Sequence, residues 1–305
     1  MTKVGAPRLD SIPIGDVAKP PFARLPEPQV LFAKRAERLR MLAQAHELKP
    51  YLLFLADLCV VQHGIQDGLP AAARQPADAL IRAREFAMPP LDRNHFTMDA
   101  ACEVTVDRLL TAISTCPMPA AARAALLNVR DADNATMVGM VRSVLADTIP
   151  IEAVAEHLFV AAALQVHFAR LAAQLDAASL VPVSDGACAA CGGPPVSSMV
   201  VGWSRAHGTR FCACALCATM WNYVRIKCVV CGSTKGISYQ EIDGSAGTIK
   251  AETCDSCRSY VKILHQHKDP ELDPIADDVA SLGLDLLVRE TGLRRGGVNP
   301  FLIGY

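Results

Sequence analysis

Eight cysteines in the C-terminal third of the chain have the residue type and spacing best suited to chemistry. They form four Cys-x-x-Cys pairs: Cys188/Cys191, Cys214/Cys217, Cys228/Cys231 and Cys254/Cys257. The first two pairs are separated by 22 residues, as are the last two, and adding 40 to each of the first four positions gives the last four. Thiols at this spacing are typical of metal sites. The sequence therefore predicts site 1, with Cys188, Cys191, Cys214 and Cys217, and site 2, with Cys228, Cys231, Cys254 and Cys257.

Each Cys-x-x-Cys turn, called a knuckle below, directs two sulfurs toward one point, and two facing knuckles make a tetrahedral cage. The 22-residue interval within each site suits a β-hairpin that carries both knuckles to one end. Gly192 and Gly232 follow the first knuckle of each site, where a small residue allows close approach of the backbone. Ala218 and Arg258 follow the second knuckles. Tetrahedral thiolate cages suit zinc and mononuclear rubredoxin-type iron alike, so these residues leave the metal open.

The other conspicuous side chains have simpler interpretations. Cys212 is interpreted as a bystander, and three cysteines on or beside helical patterns as small buried residues: Cys59, Cys102 and Cys116. Three histidines neighbour the predicted sites, but eight cysteines complete both sites without them: His207, His265 and His267. Trp221 and Tyr223 are expected to pack over a metal site. Asp277–Asp278 is expected to favour the first turn of a helix, without a catalytic role.

The composition favours a helical protein and gives no sign of a polynucleotide partner. The chain has 305 residues, 51% of them hydrophobic, and a formal net charge of −1. Between residues 186 and 268, nine Lys and Arg residues stand against four acidic ones. Because two divalent ions in four thiolates each would add four negative charges, these basic residues are interpreted as compensation for the thiolates. The sequence has no glycine-rich phosphate loop, nucleophile elbow or HExxH motif, which weighs against an enzyme.

Composition divides the chain into four regions. Residues 1–26 are Pro-rich and are predicted to be a flexible tail, and residues 27–184 to be a helical domain. Residues 185–269 are predicted to hold tandem metal-binding modules (188–227 and 228–268), and residues 270–305 to form a C-terminal helix and tail. The tail lacks a signal-peptide pattern, and the apolar stretches fall short of the roughly 20 residues that span a bilayer. We therefore expect a cytoplasmic protein without membrane insertion, in which the thiols stay reduced.

Hydrophobic periodicity predicts six or seven helices before the knuckles and short strands around them. Helices are expected over 27–46, from Pro50, and over 76–87, 98–115, 119–130, 135–147 and 150–177, and the first has a basic face of Lys34, Arg35 and Arg38. Strands are expected at 197–203, 237–242 and 247–252, and Asp273 is expected to cap a last helix. The predicted fold class is multidomain α plus small β: an all-α N-terminal domain, two tandem rubredoxin-like or zinc-ribbon modules, and a C-terminal helix.

Several segments resemble the FdhE family: LPEPQVLFAKRAERLR, CAACGGPPV, CALCATMWNYVRIKCVVCG, CDSCRSYVKILHQHKDPELDPIADDVASLGLDLL and NPFL. The resemblance spans Leu25 to Leu302 and implies a non-enzymatic, cytoplasmic accessory protein required for maturation of formate dehydrogenase. It also implies that the protein binds the catalytic subunit of that enzyme. The eight knuckle cysteines resemble rubredoxin ligands, which implies two mononuclear iron sites, with zinc as the alternative metal. Cys212 departs from the family pattern.

Two other functions stay open on the residues alone. A rubredoxin-like electron-transfer or redox-sensing protein would use thiolate-bound iron near the surface, and this role is compatible with maturation. A zinc-ribbon nucleic-acid binder is disfavoured by the small net charge and the few aromatic residues near the basic ones. The sequence leaves the oligomeric state open.

Overall fold

The computed structural model describes residues 20–303, so most of the predicted tail and the last two residues lie outside the described part. Between Pro28 and Ala172 the chain forms seven α-helices, which confirms the all-α N-terminal part of the predicted fold class. Their bounds are α1 Pro28–Leu42, α2 Lys49–Gly64, α3 Ala77–Glu85, α4 Ala100–Ile113, α5 Ala120–Arg130, α6 Asn134–Leu145 and α7 Val154–Ala172. Short 3₁₀ turns lie at Ala43–Ala45, Ile65–Gly68, Arg93–His95, Ile151–Ala153 and Ala177–Ser179.

Helix α7 is the centre of the helical domain. Every residue from His157 to Ala169 is buried, and α1, α2, α4, α5 and α6 pack against this helix. A helix that is apolar around its whole circumference is stable only when it is covered on all sides. Contrary to the expectation from sequence, Ile151–Ala172 is long and apolar enough to span a bilayer, with a mean hydropathy of 1.2. Because 67% of its most apolar window is buried, it has the character of a core helix.

Eight strands form one sheet within residues 20–303. They are β1 Ala23–Arg24, β2 Pro195–Val200, β3 Arg210–Cys214, β4 Met220–Asn222, β5 Ile237–Gln240, β6 Ile249–Cys254, β7 Ser259–His265 and β8 Arg294–Arg295. Each module contributes three antiparallel strands, in the orders β4-β3-β2 and β7-β6-β5. The register repeats with the cysteine period, because Ala213 pairs with Met220 and Thr253 with Tyr260. The two modules therefore have the same fold. The sequence predicts β2, β5 and β6 but misses β1, β3, β4, β7 and β8.

The two modules are joined edge to edge. Strand β2 runs parallel to β7, with Ser198 opposite Ile263. Arg210 of β3 forms a buried ion pair with Glu252 of β6, at 2.8 Å between Nη2 and Oε1. Strand β1, within the predicted tail, pairs with β4. The sheet is therefore one structural unit that also holds the chain segment leading into α1.

The C-terminal segment forms two helices where the sequence predicts one. These are α8 Ala276–Ala280 and α9 Leu282–Glu290, separated by Ser281. The sequence predicts Asp273 as the cap, whereas the cap position of α8 is Ile275. Asp273 stabilises the turn before it, because its Oδ1 accepts bonds from the N–H groups of Ile275 and Ala276. The break lies where the Asp278 carbonyl accepts a 2.7 Å hydrogen bond from Lys262 Nζ. The ammonium of a sheet residue thus replaces a bond within the helix.

The basic face of α1 is an interface, not the solvated surface that its charge suggests. Arg35 pairs with Asp273 at 3.1 Å, and Arg38 pairs with Asp277 at 2.6 Å and with Asp269 at 2.9 Å. Burial raises the pKa of Asp277 to about 6, although its bond to Arg38 opposes this shift. These ion pairs attach α8 to the helical domain, so Asp277 does more than favour a helix start.

Candidate metal centres

The first knuckles of the two sites are built by the same pair of backbone hydrogen bonds. In the first knuckle the Cys188 amide donates to the Gly193 carbonyl at 2.8 Å, and the Gly192 amide donates to the Cys188 carbonyl at 2.8 Å. Forty residues later, the Cys228 amide donates to Ser233 at 2.8 Å and the Gly232 amide to Cys228 at 2.9 Å. The turn geometry therefore repeats with the sequence period.

The residue after every knuckle has a left-handed backbone conformation. Its φ angle is 78° at Gly192, 73° at Gly232, 57° at Ala218 and 55° at Arg258. Glycine adopts this conformation at least cost. The sequence identifies the requirement only where it is met by glycine. Ala218 and Arg258 adopt the same conformation with a Cβ atom.

Gly192→Ala is expected to lower the free energy of unfolding by about 1–2 kcal/mol, because a left-handed conformation costs an L-residue that much. The new Cβ would also lie 3.1 Å from Cγ of Pro89. Ala218→Gly is the matched control and should cause no loss of stability. Urea unfolding of the metal-loaded proteins measures both effects. Equal stability of Gly192→Ala and the wild-type protein would contradict the conformational requirement.

The structure brings the eight predicted cysteines together in the predicted two groups. Within each group the sulfurs all lie within 4.8 Å of one another. In site 1, Cys188 Sγ lies 3.5 Å from Cys217 Sγ, and Cys191 Sγ lies 3.5 Å from Cys214 Sγ. The equivalent distances in site 2 are 3.8 Å and 3.7 Å. A tetrahedron with metal–sulfur bonds of about 2.3 Å has edges of about 3.8 Å, so both groups could hold a metal ion.

Site 1 is enclosed by the helical domain. All four of its cysteines are at most 2% exposed and belong to the main hydrophobic core. The amides of Leu91 and Arg93, between α3 and α4, donate to the carbonyls of Ala190 and Cys191 at 2.8 and 3.1 Å. From α7, Gln165 Nε2 donates to the Ala215 carbonyl in the second knuckle at 2.9 Å. Both knuckles of site 1 are thus hydrogen-bonded to helical-domain residues.

Arg93 is the residue near site 1 that sequence reasoning missed. Burial would lower the pKa of its guanidinium, but Asp147 and the thiolates of Cys191 and Cys214 outweigh this effect and raise it. Arg93 thus supplies positive charge beside site 1, and it lies in the helical domain, where no motif marks it.

Four basic residues of the modules form ion pairs with carboxylates. Arg210 pairs with Glu252, and the other three are Lys227, Lys250 and Lys262. The interpretation that these residues compensate the thiolates is therefore wrong for these four.

Site 2 lies near the surface. Cys231 is exposed, Cys257 is half-buried, and Cys228 and Cys254 are buried. Tyr223, which the sequence places over a metal site, donates from its hydroxyl to the Cys228 carbonyl at 3.1 Å. Trp221 is buried in the main core.

Burial raises the pKa of the thiols of Cys188 and Cys228, the latter to about 12. In the absence of a cation the thiols of Cys188 and Cys228 therefore hold their protons at neutral pH. Thiolates are the ligands of a metal ion, so loading either site releases protons.

The remaining cysteines lie outside both groups. Burial raises the pKa of Cys59 and Cys102 to about 12 and that of Cys212 to about 11, so their thiols are poor nucleophiles at neutral pH. Cys212 is fully buried, and its Sγ lies 3.8 Å from the Ser198 hydroxyl. The three histidines lie near one another, with ring centroids 6.0 Å apart for His207 and His267 and 5.4 Å for His265 and His267.

Three family models match consecutive segments of the chain. They are described as FdhE, N-terminal, over residues 20–185; FdhE, central domain, over residues 187–225; and FdhE, C-terminal domain, over residues 226–302. The first covers the helical domain and the second covers site 1 with β2 to β4. The third combines site 2 with the two C-terminal helices.

Similar proteins match over nearly their whole length. The Protein FdhE homolog of Rhizobium meliloti (strain 1021) is 49% identical over 294 residues, which cover 96% of both chains. The Protein FdhE homolog of Pseudomonas aeruginosa is 34% identical over 289 residues, which cover 93% of both chains. The crystal structure of the FdhE protein from Pseudomonas aeruginosa matches with a TM-score of 0.84 at 34% identity, covering 93% of this chain and 99% of that one. The order of helical region, four-cysteine sheet region and C-terminal helices is thus confirmed.

Proposed function

The chain belongs to the FdhE family, and from this premise we propose that it is an accessory protein required for the maturation of formate dehydrogenase. The observation that carries the proposal is the extent of the relationship, which reaches 49% identity over 96% of the chain. A relationship of this extent includes the helical domain, both metal sites and the C-terminal helices together.

The partner in this proposal is the catalytic subunit of formate dehydrogenase, which the chain binds in the cytoplasm. The chain acts as a binding and assembly protein and does no catalysis of its own. The resemblance of the sequence segments to the family supports this role.

Both sites hold iron in this proposal, with zinc as the alternative. The sulfur–sulfur distances of 3.5–3.8 Å suit either metal. Bound iron supplies one-electron redox chemistry, whereas zinc has none. The protein's own contribution is to hold four thiolates at each site.

The partner is tested by capture from cell extract. The full chain, tagged and purified under reducing conditions without oxygen, is expected to recover the catalytic subunit of formate dehydrogenase. In cells lacking their own FdhE relative, the chain should restore formate-dependent dye reduction in extracts. The Cys116→Ser variant, which alters a cysteine outside both sites, should behave as the wild-type protein in both measurements. Failure of both recovery and restoration would contradict the proposed function.

The exposure of Cys231 favours a second candidate, rubredoxin-like electron transfer or redox sensing. Iron in this setting absorbs visible light in the oxidised state. Metal analysis and a visible spectrum of protein purified without oxygen and then oxidised test this role. A colourless protein with stoichiometric zinc would exclude it and leave the maturation role intact.

A further inference from the structure

The two metal sites have the same internal fold but different surroundings. The cysteines of site 1 are at most 2% exposed, whereas Cys231 of site 2 is exposed and Cys257 is half-buried. Cys191 and Cys231 are equivalent by the 40-residue period, so the comparison is between matched positions. Two sites with the same internal fold but different surroundings can therefore have different functions.

The cover over site 1 comes from outside its module. Ala189 and Ala190, inside the first knuckle, are at most 1% exposed, and the carbonyls of Ala190 and Cys191 accept bonds from Leu91 and Arg93. An incoming ligand could reach this metal only after the helical domain had moved away from the sheet. Opening of a buried hydrophobic contact is a rare fluctuation compared with the motion of a surface group.

The equivalent edge of site 2 has no such cover. Val229 is 1% exposed but Val230, the equivalent of Ala190, is 41% exposed. Asp255 and Ser256, inside the second knuckle of this site, are exposed. Within residues 20–303, no hydrogen bond joins a site 2 knuckle to α1–α7. Cys231 therefore lies at the solvent-exposed edge of site 2.

We propose that site 1 holds its metal permanently as part of the core, and that site 2 is an exchange site whose metal accepts an external thiolate in place of Cys231. This division between a permanent and an exchangeable site rests on the proposed function in one respect only, which is that both sites must be loaded with metal. An external thiolate is the ligand class that matches the site, because soft sulfur donors compete best with cysteine for these metals.

The exchange is a ligand substitution without change of oxidation state. The bond between the metal and Cys231 Sγ breaks, and a bond between the metal and the external sulfur forms. The proton of the external thiol passes to the Cys231 thiolate. Four sulfur ligands and the total charge are conserved, so no oxidant or reductant is needed.

The test follows zinc release from the full chain loaded with two equivalents of zinc, with 4-(2-pyridylazo)resorcinol in excess as the colour-forming chelator. One equivalent should leave in a fast phase and the other at least about 100-fold more slowly, because its release waits for opening of the core. Glutathione should accelerate the fast phase alone. Alkylation with iodoacetamide during the fast phase, followed by peptide mapping, should label Cys231 before Cys191.

The Cys231→Ser variant tests whether the fast phase comes from site 2. It should abolish the fast phase, retain one slowly released zinc and keep the helical content measured by circular dichroism. Release of both metals at one rate, or early labelling of Cys191, would overturn the division between the sites. A chain that takes up no metal would overturn the metal-carrying role itself. Loss of partner capture with two-phase release intact would overturn the maturation role and leave this division standing.

Discussion

Cys191→Ser is expected to release the site 1 metal and to disrupt the contact between the helical domain and the sheet. Binding of a structural zinc ion supplies an apparent 10–16 kcal/mol, about as much as the 5–15 kcal/mol that stabilises a typical domain. The Cys191 carbonyl also holds Arg93, so movement of this knuckle removes the anchor of the segment between α3 and α4. We expect one metal per chain, loss of helical signal and a much lower melting temperature, measured by metal analysis and circular dichroism.

Two other cysteine variants are the controls for this result. Cys212→Ser alters a fully buried thiol in β3, and Cys102→Ser alters one in α4. Each should cost only about 1–3 kcal/mol, as expected for a buried polar group, and each should keep both metals. Full metal content and wild-type melting of Cys191→Ser would show that the predicted grouping of the knuckles is incorrect.

Local patterns account for what could be predicted from the sequence. The Cys-x-x-Cys spacing specifies which sulfurs meet, because each knuckle is a tight turn and the intervals are of hairpin length. The bounds of α4, α5 and α6 were predicted to within a few residues, because hydrophobic periodicity marks them. In the structure, Asp99 and Asp133 cap the starts of α4 and α6. Both kinds of signal are contained in short segments of chain.

The features that the sequence did not predict depend on pairing between distant segments. The parallel contact of β2 with β7 joins residues about 65 positions apart, and no local pattern specifies which edges meet. Arg35 and Arg38 have the spacing of a solvated helix face, yet Asp273 and Asp277, more than 230 residues away, make that face an interface. The unequal exposure of the two metal sites has the same origin. It arises from the helical domain, whereas the cysteine repeat itself is regular.

Buried charges hold the C-terminal helices against the sheet. Lys262 of β7 is fully buried, and its Nζ pairs with Asp285 and lies 3.4 Å from Asp278. Arg295 donates to both of these aspartates at 2.5 Å. Burial by itself would raise the pKa of Asp278, but Lys262 and Arg295 outweigh it and the pKa is lowered. The two aspartates and two basic residues thus form a balanced cluster.

Lys262→Met is expected to lower the free energy of unfolding by about 3–5 kcal/mol near pH 7, because two buried carboxylates then share one guanidinium. Since the folded-state pKa of Asp278 is lowered, its stabilising contribution is present above its unfolded pKa of about 3.9 and is lost as the pH falls through the folded value. The difference between the variant and the wild-type protein should therefore shrink in acid.

Lys250→Met is the matched control for this prediction, since Lys250 lies one strand away in β6 and its ion pair with Glu241 is part-exposed. Its loss should cost no more than about 1 kcal/mol, the usual contribution of a surface pair. Urea unfolding of both variants at neutral and acid pH measures the contrast. A small, equal loss in the two variants would mean that the buried cluster does not hold the C-terminal helices. A large loss for Lys262→Met alone, fading toward low pH, would identify the ammonium of Lys262 as the charge that allows two aspartates to be buried between sheet and helix.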